Sequence, residues 1–356
     1  MSVPLANFTK QGSKFHNEDA SAAYTIVSPT DPAQMVHVLC IADGHGMNGE
    51  GLECATYCIT ESKAWLTEQL SHEWSTIDWT LVAPLLTERL HNGYRTVCAT
   101  KPFFWGPRFV DAQGIVRDLH GMAIHSGSTF SMAIVFPWEA GFRTVVIQVG
   151  DSDVFVNGAC VECDHTPLSQ SEFMRIQSFP AETRLQLTYH MKQSPLVFLP
   201  SGEYDPRFYN VKWAQPWRWN SGITPTNAKY QPGSYAKSPA SARDLVQIGM
   251  TRAIGDFYAH PCGMTHVPHV TILDHPTRPS VFMASDGAWD TIDVNHQWVG
   301  TKGTLGGVDL TPRYETIQQQ GQSTEFLVEQ LVEELYELSR EKFGDQIDDI
   351  SVAVLL

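Results

Sequence analysis

The chain has 356 residues, 42% of them hydrophobic, and a formal net charge of −15. That is enough apolar side chain for a sizeable core in one large domain or two ordinary ones. The acidic balance argues against a nucleic-acid surface, because phosphate backbones are held by Lys and Arg.

Residues 22–28 and 35–42 read as strands joined by a Pro/Asp/Thr turn. After the glycine-rich stretch 43–51, Leu52, Ala55, Ile59, Ser62, Leu66 and Leu70 follow the spacing of one helix face. A second helix is expected over about 80–99, with Pro84 moving its start a few residues on. The segment at about 101–127, with Phe103, Phe104 and Trp105, reads as an irregular insertion. Strands are expected over 128–136, 143–150 and 153–156, then a short helix over 169–176 with Ser169 as its N-cap. From about 177 to 244 periodicity gives way to Pro, Gly, Asn and aromatics, and Trp213, Trp217 and Trp219 lie almost together. Strands over 245–250, 280–285 and 350–355 follow, with an amphipathic helix over 323–342 between the last two. Strands and helices arrive in blocks, which favours an α+β fold with largely antiparallel sheets over a doubly wound parallel one.

No run of about 18 apolar residues suggests a membrane span, and no secretory signal pattern is expected at the N-terminus. Ser2 stands where myristoylation needs glycine. Seven scattered cysteines suit a reducing compartment, so an intracellular, cytoplasmic protein is expected, with the nucleus left open. Cys160-x-x-Cys163 lacks the second pair that a zinc site wants. No heptad pattern suggests an oligomer, so a monomer is expected.

Acids leave several apolar runs in the same way: Asp43 in Ile41-Ala42-Asp43-Gly44-His45-Gly46, Asp151 after Val149-Gly150, Asp286 after Ala284-Ser285, and Asp348-Asp349 before the final strand. A lone Asp-Gly is a turn signal. Carboxylates at neighbouring strand ends, with a carbonyl such as that of Gly44, make a site for hard divalent cations. Two such cations can share a carboxylate and aim a water at a phosphoryl group, and His45 is placed to protonate the leaving oxygen. The residues alone thus suggest a two-metal phosphohydrolase.

The sequence resembles the type 2C family of metal-dependent serine/threonine protein phosphatases. The matches run in family order through Asn17-Glu18-Asp19-Ala20, Asp43-Gly44-His45-Gly46, Gly127-Ser128-Thr129, Val149-Gly150-Asp151-Ser152, Asp164-His165-x-Pro167 with Glu172 and Arg175-Ile176, Thr251-Arg252-Ala253-Ile254-Gly255-Asp256, Ala284-Ser285-Asp286-Gly287-x-Trp289-Asp290 and Asp348-Asp349-Ile350-Ser351-Val352. The resemblance implies a single domain, an α-β-β-α sandwich of two mainly antiparallel sheets, with two Mn2+ or Mg2+ ions at one edge. It implies Asp43 as the bridging ligand, Gly44 as a carbonyl ligand, and Glu18, Asp19, Asp286 and Asp348 around the pair. Asp151, with Asp286 and Asp290, matches a third, weaker metal position, and His45 matches the general acid. The implied partner is a phosphoprotein substrate.

Two residues depart from that pattern. Lys14 stands where the family carries a phosphate-gripping Arg; lysine binds phosphate as a point charge and cannot form the bidentate fork. Asp349 stands where the family has Asn. The stretch at about 177–244 is expected to be an enlarged flap that selects substrates through Trp213, Trp217 and Trp219. Two other functions stay open: a pseudophosphatase that binds partners through this fold, and a hydrolase of small phosphate esters.

Overall fold

The structure is a computed structural model that describes residues 3–27, 35–46, 49–69, 74–100, 106–161, 163, 165–167, 169–188, 198–206, 209–210, 215–216, 233–237, 245–290, 297–300 and 303–356. The first strands are β1 (Leu5–Lys10), β2 (Asp19–Val27) and β3 (Met35–Gly46). Helices α1 (Glu50–Gln69) and α2 (Trp79–Thr100) follow. One sheet orders β1, Ile350–Leu355, Val281–Ala284, Val154–Val156 and Ala159–Cys160. The other orders Ile254–Gly255, Ser126–Ser128, β3, Phe130–Trp138, Gly141–Val149 and His269–His275, with β2 also paired to β3. Every pairing in both sheets is antiparallel.

The unbroken apolar run of β3 follows from its place in the layers. Leu39 and Ile41 point between the sheets, where they pack with Ala133, Val146, Val154, Met283 and Leu355. Val38, Cys40 and Ala42 point the other way, onto Cys54, Ala55, Cys58, Leu86 and Leu90 of α1 and α2. A strand covered on both faces has no polar side to alternate with. The opposite sheet repeats the scheme: Phe282, Val352 and Val354 pack under Leu327, Val328, Leu331 and Leu335 of the helix Thr324–Phe343. The layers are therefore helix, sheet, sheet, helix.

Helix α2 starts at Trp79 and carries Pro84 inside it, so the delayed start expected from Pro84 is wrong. Asp78 holds the first turn instead: its carbonyl accepts from the amides of Leu81 and Val82, and its Oδ1 from that of Thr80. The insertion at 101–127 contains a hairpin, Arg108–Val110 with Val116–Asp118. Arg108 is buried there against Glu50 Oε1 at 2.8 Å and Glu53 Oε2 at 3.4 Å. In the long insertion, Gln186–Thr188, Gly233–Lys237 and Leu245–Ile248 form a small antiparallel sheet. Trp213, Trp217 and Trp219 lie outside the described residues, as do Phe103, Phe104 and Trp105.

Candidate metal centre

β3 continues through Asp43, Gly44 and His45 because residues 44–46 pair with Ser128, Gly127 and Ser126. Asp19 stands directly opposite Asp43 across β2 and β3. Such a pair shares one sheet face, with Cβ atoms about 4.5–5.5 Å apart. Ala284 pairs with Val352, and Met283 with Val154. Antiparallel pairing therefore brings the end that emits Asp286, the start preceded by Asp348 and Asp349, and the start preceded by Asp151 to the same rim. The Ser285 hydroxyl donates to Asp19 Oδ2 at 2.7 Å, while Asp19 Oδ1 is buried with no hydrogen-bond partner. The Asp43 backbone is clasped: its amide donates to Thr129 Oγ1, and its carbonyl accepts from the Thr129 amide and the Ser128 hydroxyl.

Burial, and then the charges of Asp19, Asp286 and Asp348, push the Asp43 carboxyl well above the usual range, against the pull of Lys14. Burial and the charge of Asp349 push Asp19 up to about 7. Burial, Asp286 and Asp153 bring Asp151 to about 7, and burial alone brings Asp153 to about 6. Crowded carboxylates of this kind cannot all ionise without added positive charge. With all-oxygen donors and a buried oxygen that lacks a partner, the set fits hard divalent cations.

His45 completes the arrangement. Its Nε2 lies 2.5 Å from Asp256 Oδ2. Burial is the largest influence and lowers its pKa, but the charge and hydrogen bond of Asp256, with the charge of Glu18, together raise it above the ordinary histidine value. That shift favours the protonated ring. A Cβ on Gly127 would fall 2.1 Å from Asp256 Oδ2 and 2.6 Å from His45 Nε2, so only glycine leaves room for the pair. Asp256 itself has φ of 44°, in the left-handed region, held by its amide on the Ser126 carbonyl.

No protein-family model matches the sequence, and no curated protein does. Solved structures do. The serine-threonine phosphatase 2C from Toxoplasma gondii aligns over 100% of this chain and 96% of its own, with a TM-score of 0.57 and 15% identity. A C. elegans sex determining protein aligns over 100% of this chain and 65% of its own, with a TM-score of 0.56 and 16% identity.

The fold is that of the type 2C phosphatases.

Within this type 2C fold the two departures have definite places. The Lys14 ammonium lies 3.0 Å from Asp348 Oδ1, 3.3 Å from Glu18 Oε2 and 3.9 Å from Asp349 Oδ2. Burial opposes its charge, but Asp348, Asp43, Glu18 and Asp349 together raise its pKa. Asp349 is only 1% exposed and is neither solvated nor idle. Its Oδ1 accepts from the Gly12 amide at 2.7 Å and its Oδ2 from the Glu18 amide at 2.8 Å. It pins the segment that carries Lys14, Glu18 and Asp19 to the last strand. Asp349→Ala is expected to destabilise the protein by about 3 kcal/mol, two amides losing a charged acceptor. Urea unfolding checks it.

Gly44 is bound by close approach, since a Cβ there would lie 2.3 Å from the Glu18 carbonyl oxygen and 2.4 Å from that of Gly51. Glu18 Oε1 accepts from the Gly51 amide. Asp290 caps the short helix Asp286–Trp289, one turn after Asp286, and its carbonyl accepts from Lys342 Nζ. The carboxylates do not close as tightly as a three-donor cage. Among the described residues, the group with donor atoms all within 4.8 Å is His91, His260 and His266. Like charges hold carboxylates apart, and Lys14 lies among these. Asp256 carries a role that the sequence reading did not give it, although it leaves Ile254-Gly255 as the other acids leave their strands.

Proposed function

We propose that the chain is a metal-dependent phosphatase acting on phosphoserine and phosphothreonine in proteins. The observation that carries this reading is the pairing of a buried, mutually repelling carboxylate rim with His45, whose Nε2 lies 2.5 Å from Asp256 Oδ2. Asp43, Asp19, Asp286 and Asp348, with Glu18 and the Gly44 carbonyl, would hold two Mn2+ or Mg2+ ions, and Asp151 and Asp290 a third. Such ions polarise phosphoryl oxygens and lower the pKa of a water. The protein's own groups do the rest. Ser285 orients Asp19, and Thr129 and Ser128 fix the strand that presents Asp43. His45 holds a proton for the departing serine or threonine oxygen, and Asp256 holds that proton on the ring. Lys14 stands at the rim as a point charge for phosphate. The segment at 177–244 would select the protein substrate. The buried thiols of Cys40, Cys54, Cys58, Cys98 and Cys262, none in a disulfide, fit an intracellular setting.

The competing reading is a partner-binding protein on the same fold. It is favoured by the Lys14 ammonium, which already neutralises part of the acidic rim. A substrate panel decides. Phosphoserine and phosphothreonine peptides, a phosphotyrosine peptide, nucleotides and p-nitrophenyl phosphate are compared with Mn2+ present. Phosphoserine and phosphothreonine peptides are expected to give the highest kcat/KM. Faster turnover of nucleotides would show a small-ester hydrolase, and no turnover of any substrate a binding protein.

A further inference from the structure

Among the described residues, one cluster of ligating side chains stands apart from the carboxylate rim. His91 lies on α2, His260 opens the short 3-10 turn His260–Cys262, and His266 lies just before the strand His269–His275. One ring nitrogen from each lies within 4.8 Å of one from both others. The His91 ring centroid is 4.1 Å from that of His260 and 4.4 Å from that of His266. Bonds of about 2.0–2.1 Å to a tetrahedral ion would set ligand nitrogens about 3.4 Å apart, so closure needs shifts of about an ångström.

We propose that His91, His260 and His266 form a second metal site, separate from the carboxylates, that takes a borderline transition-metal ion such as Zn2+.

Two unpartnered nitrogens support it: His260 Nε2 and His266 Nδ1 are buried with no hydrogen-bond partner, and the third ligand would be the His91 Nε2 lone pair that faces Arg95. Buried ring nitrogens without partners are costly and call for an explanation. Backbone groups of Ala253 and Gly255 lie against the His260 ring, the kind of outer contact that orients a metal-bound histidine. Burial keeps all three rings on the neutral, ligating side. Three imidazoles select Zn2+, Co2+, Ni2+ or Cu2+ over Mg2+ and Mn2+, which take oxygen, and they leave a fourth position for water.

Arg95 guards the site. Its Nη2 lies 2.9 Å from His91 Nε2 and donates to that lone pair. A metal ion takes the place of this guanidinium, so Arg95 turns out toward Asn92, whose Oδ1 its Nη1 already meets. The consequence for the molecule is a tie between α2 and the segment 256–266. That segment carries Asp256, the partner of His45, and Phe257, whose ring lies 4.9 Å from that of His91.

Co2+ is the probe, because tetrahedral nitrogen-ligated Co2+ absorbs visible light far more strongly than octahedral oxygen-ligated Co2+. The full chain is titrated with Co2+ in excess Mg2+, which keeps the carboxylates occupied. One equivalent is expected to give an intense visible band, displaced by one equivalent of Zn2+. Zn2+ is also expected to raise the Tm. Both effects are expected to vanish in His266→Ala, with affinity falling about 100-fold. Arg95→Met, which removes the competing cation, is expected to tighten Co2+ binding about 10-fold. No intense band at one equivalent, or a band that His266→Ala leaves unchanged, overturns the proposal. Should His266→Ala fail to fold, an unchanged Kd in Arg95→Met overturns it as well.

Discussion

Asp43→Asn is expected to lower kcat/KM for a phosphoserine peptide by about 10³-fold or more and to raise the Tm of the metal-free protein. The first effect follows from the position of Asp43 at the centre of the rim, opposite Asp19 and within the fields of Asp286 and Asp348. On the proposed function Asp43 would be the shared metal ligand, and its loss would remove several kcal/mol of transition-state stabilisation, about 4 kcal/mol corresponding to the 10³-fold. The second effect follows from the cost of crowding buried carboxylates. An amide of the same shape keeps the backbone clasp by Thr129 and Ser128 but carries no charge to repel Asp19. Functional sites commonly hold such strain, and removing it stabilises the fold. The folded-state pKa of Asp43 is raised, so its ionisation works against folding as pH rises above its unfolded value. The gain in Tm is therefore expected at pH 7 and to shrink at pH 4. Melting curves at the two pH values, with and without Mn2+, read both parts. A Tm that falls at pH 7 would show that Asp43 is not under repulsion.

Glu172→Gln is expected to destabilise the protein by about 3–5 kcal/mol, as removal of one partner from a buried ion network does. Glu172 is 1% exposed, in the helix Gln170–Gln177 capped by the Ser169 hydroxyl. It accepts from Arg175 Nη2 at 2.6 Å, Arg252 Nη2 at 2.6 Å and the Thr251 hydroxyl at 2.7 Å. Burial alone would raise its pKa, but the hydrogen bonds and charges of Arg252 and Arg175 win and hold it at about 2. A depressed carboxylate stabilises the fold above its unfolded pKa, near 4.5, and loses that contribution as pH falls toward 2. Wild type should therefore lose stability between about pH 4.5 and 2 more steeply than Glu172→Gln does. The network is the physical content of two stretches that the sequence shows 76 residues apart, Glu172 with Arg175 and Thr251-Arg252. Chemical denaturation across that pH range checks both the magnitude and the slope.

Much of the centre was legible because its chemistry is local in the sequence. Asp43, Asp151, Asp286 and Asp348 each sit at the end of an apolar run, and antiparallel pairing brings those ends to one rim. The layers were legible through β3, whose unbroken apolar run needs cover on both faces. The pairs that close late in the chain were not legible. His45 and Asp256 are 211 residues apart, and no spacing links them. His91, His260 and His266 come from a helix, a turn and a loop with no shared motif. The strand His269–His275 was missed because it is the half-exposed edge of its sheet and shows no clean alternation. Pro84 misled because propensity speaks only for the proline, whereas Asp78 and the buried Trp79 anchor the turn before it.

The proposed function is hydrolysis of phosphoserine and phosphothreonine at the carboxylate rim with bound divalent cations. The most direct test follows phosphate release from a phosphothreonine peptide by the wild-type chain, stripped with EDTA and then given Mn2+. The expected result is no release in EDTA, release on adding Mn2+, and none with Mn2+ in Asp43→Asn. Phosphate release that persists in EDTA, or none with Mn2+ in a folded wild-type protein, would contradict it.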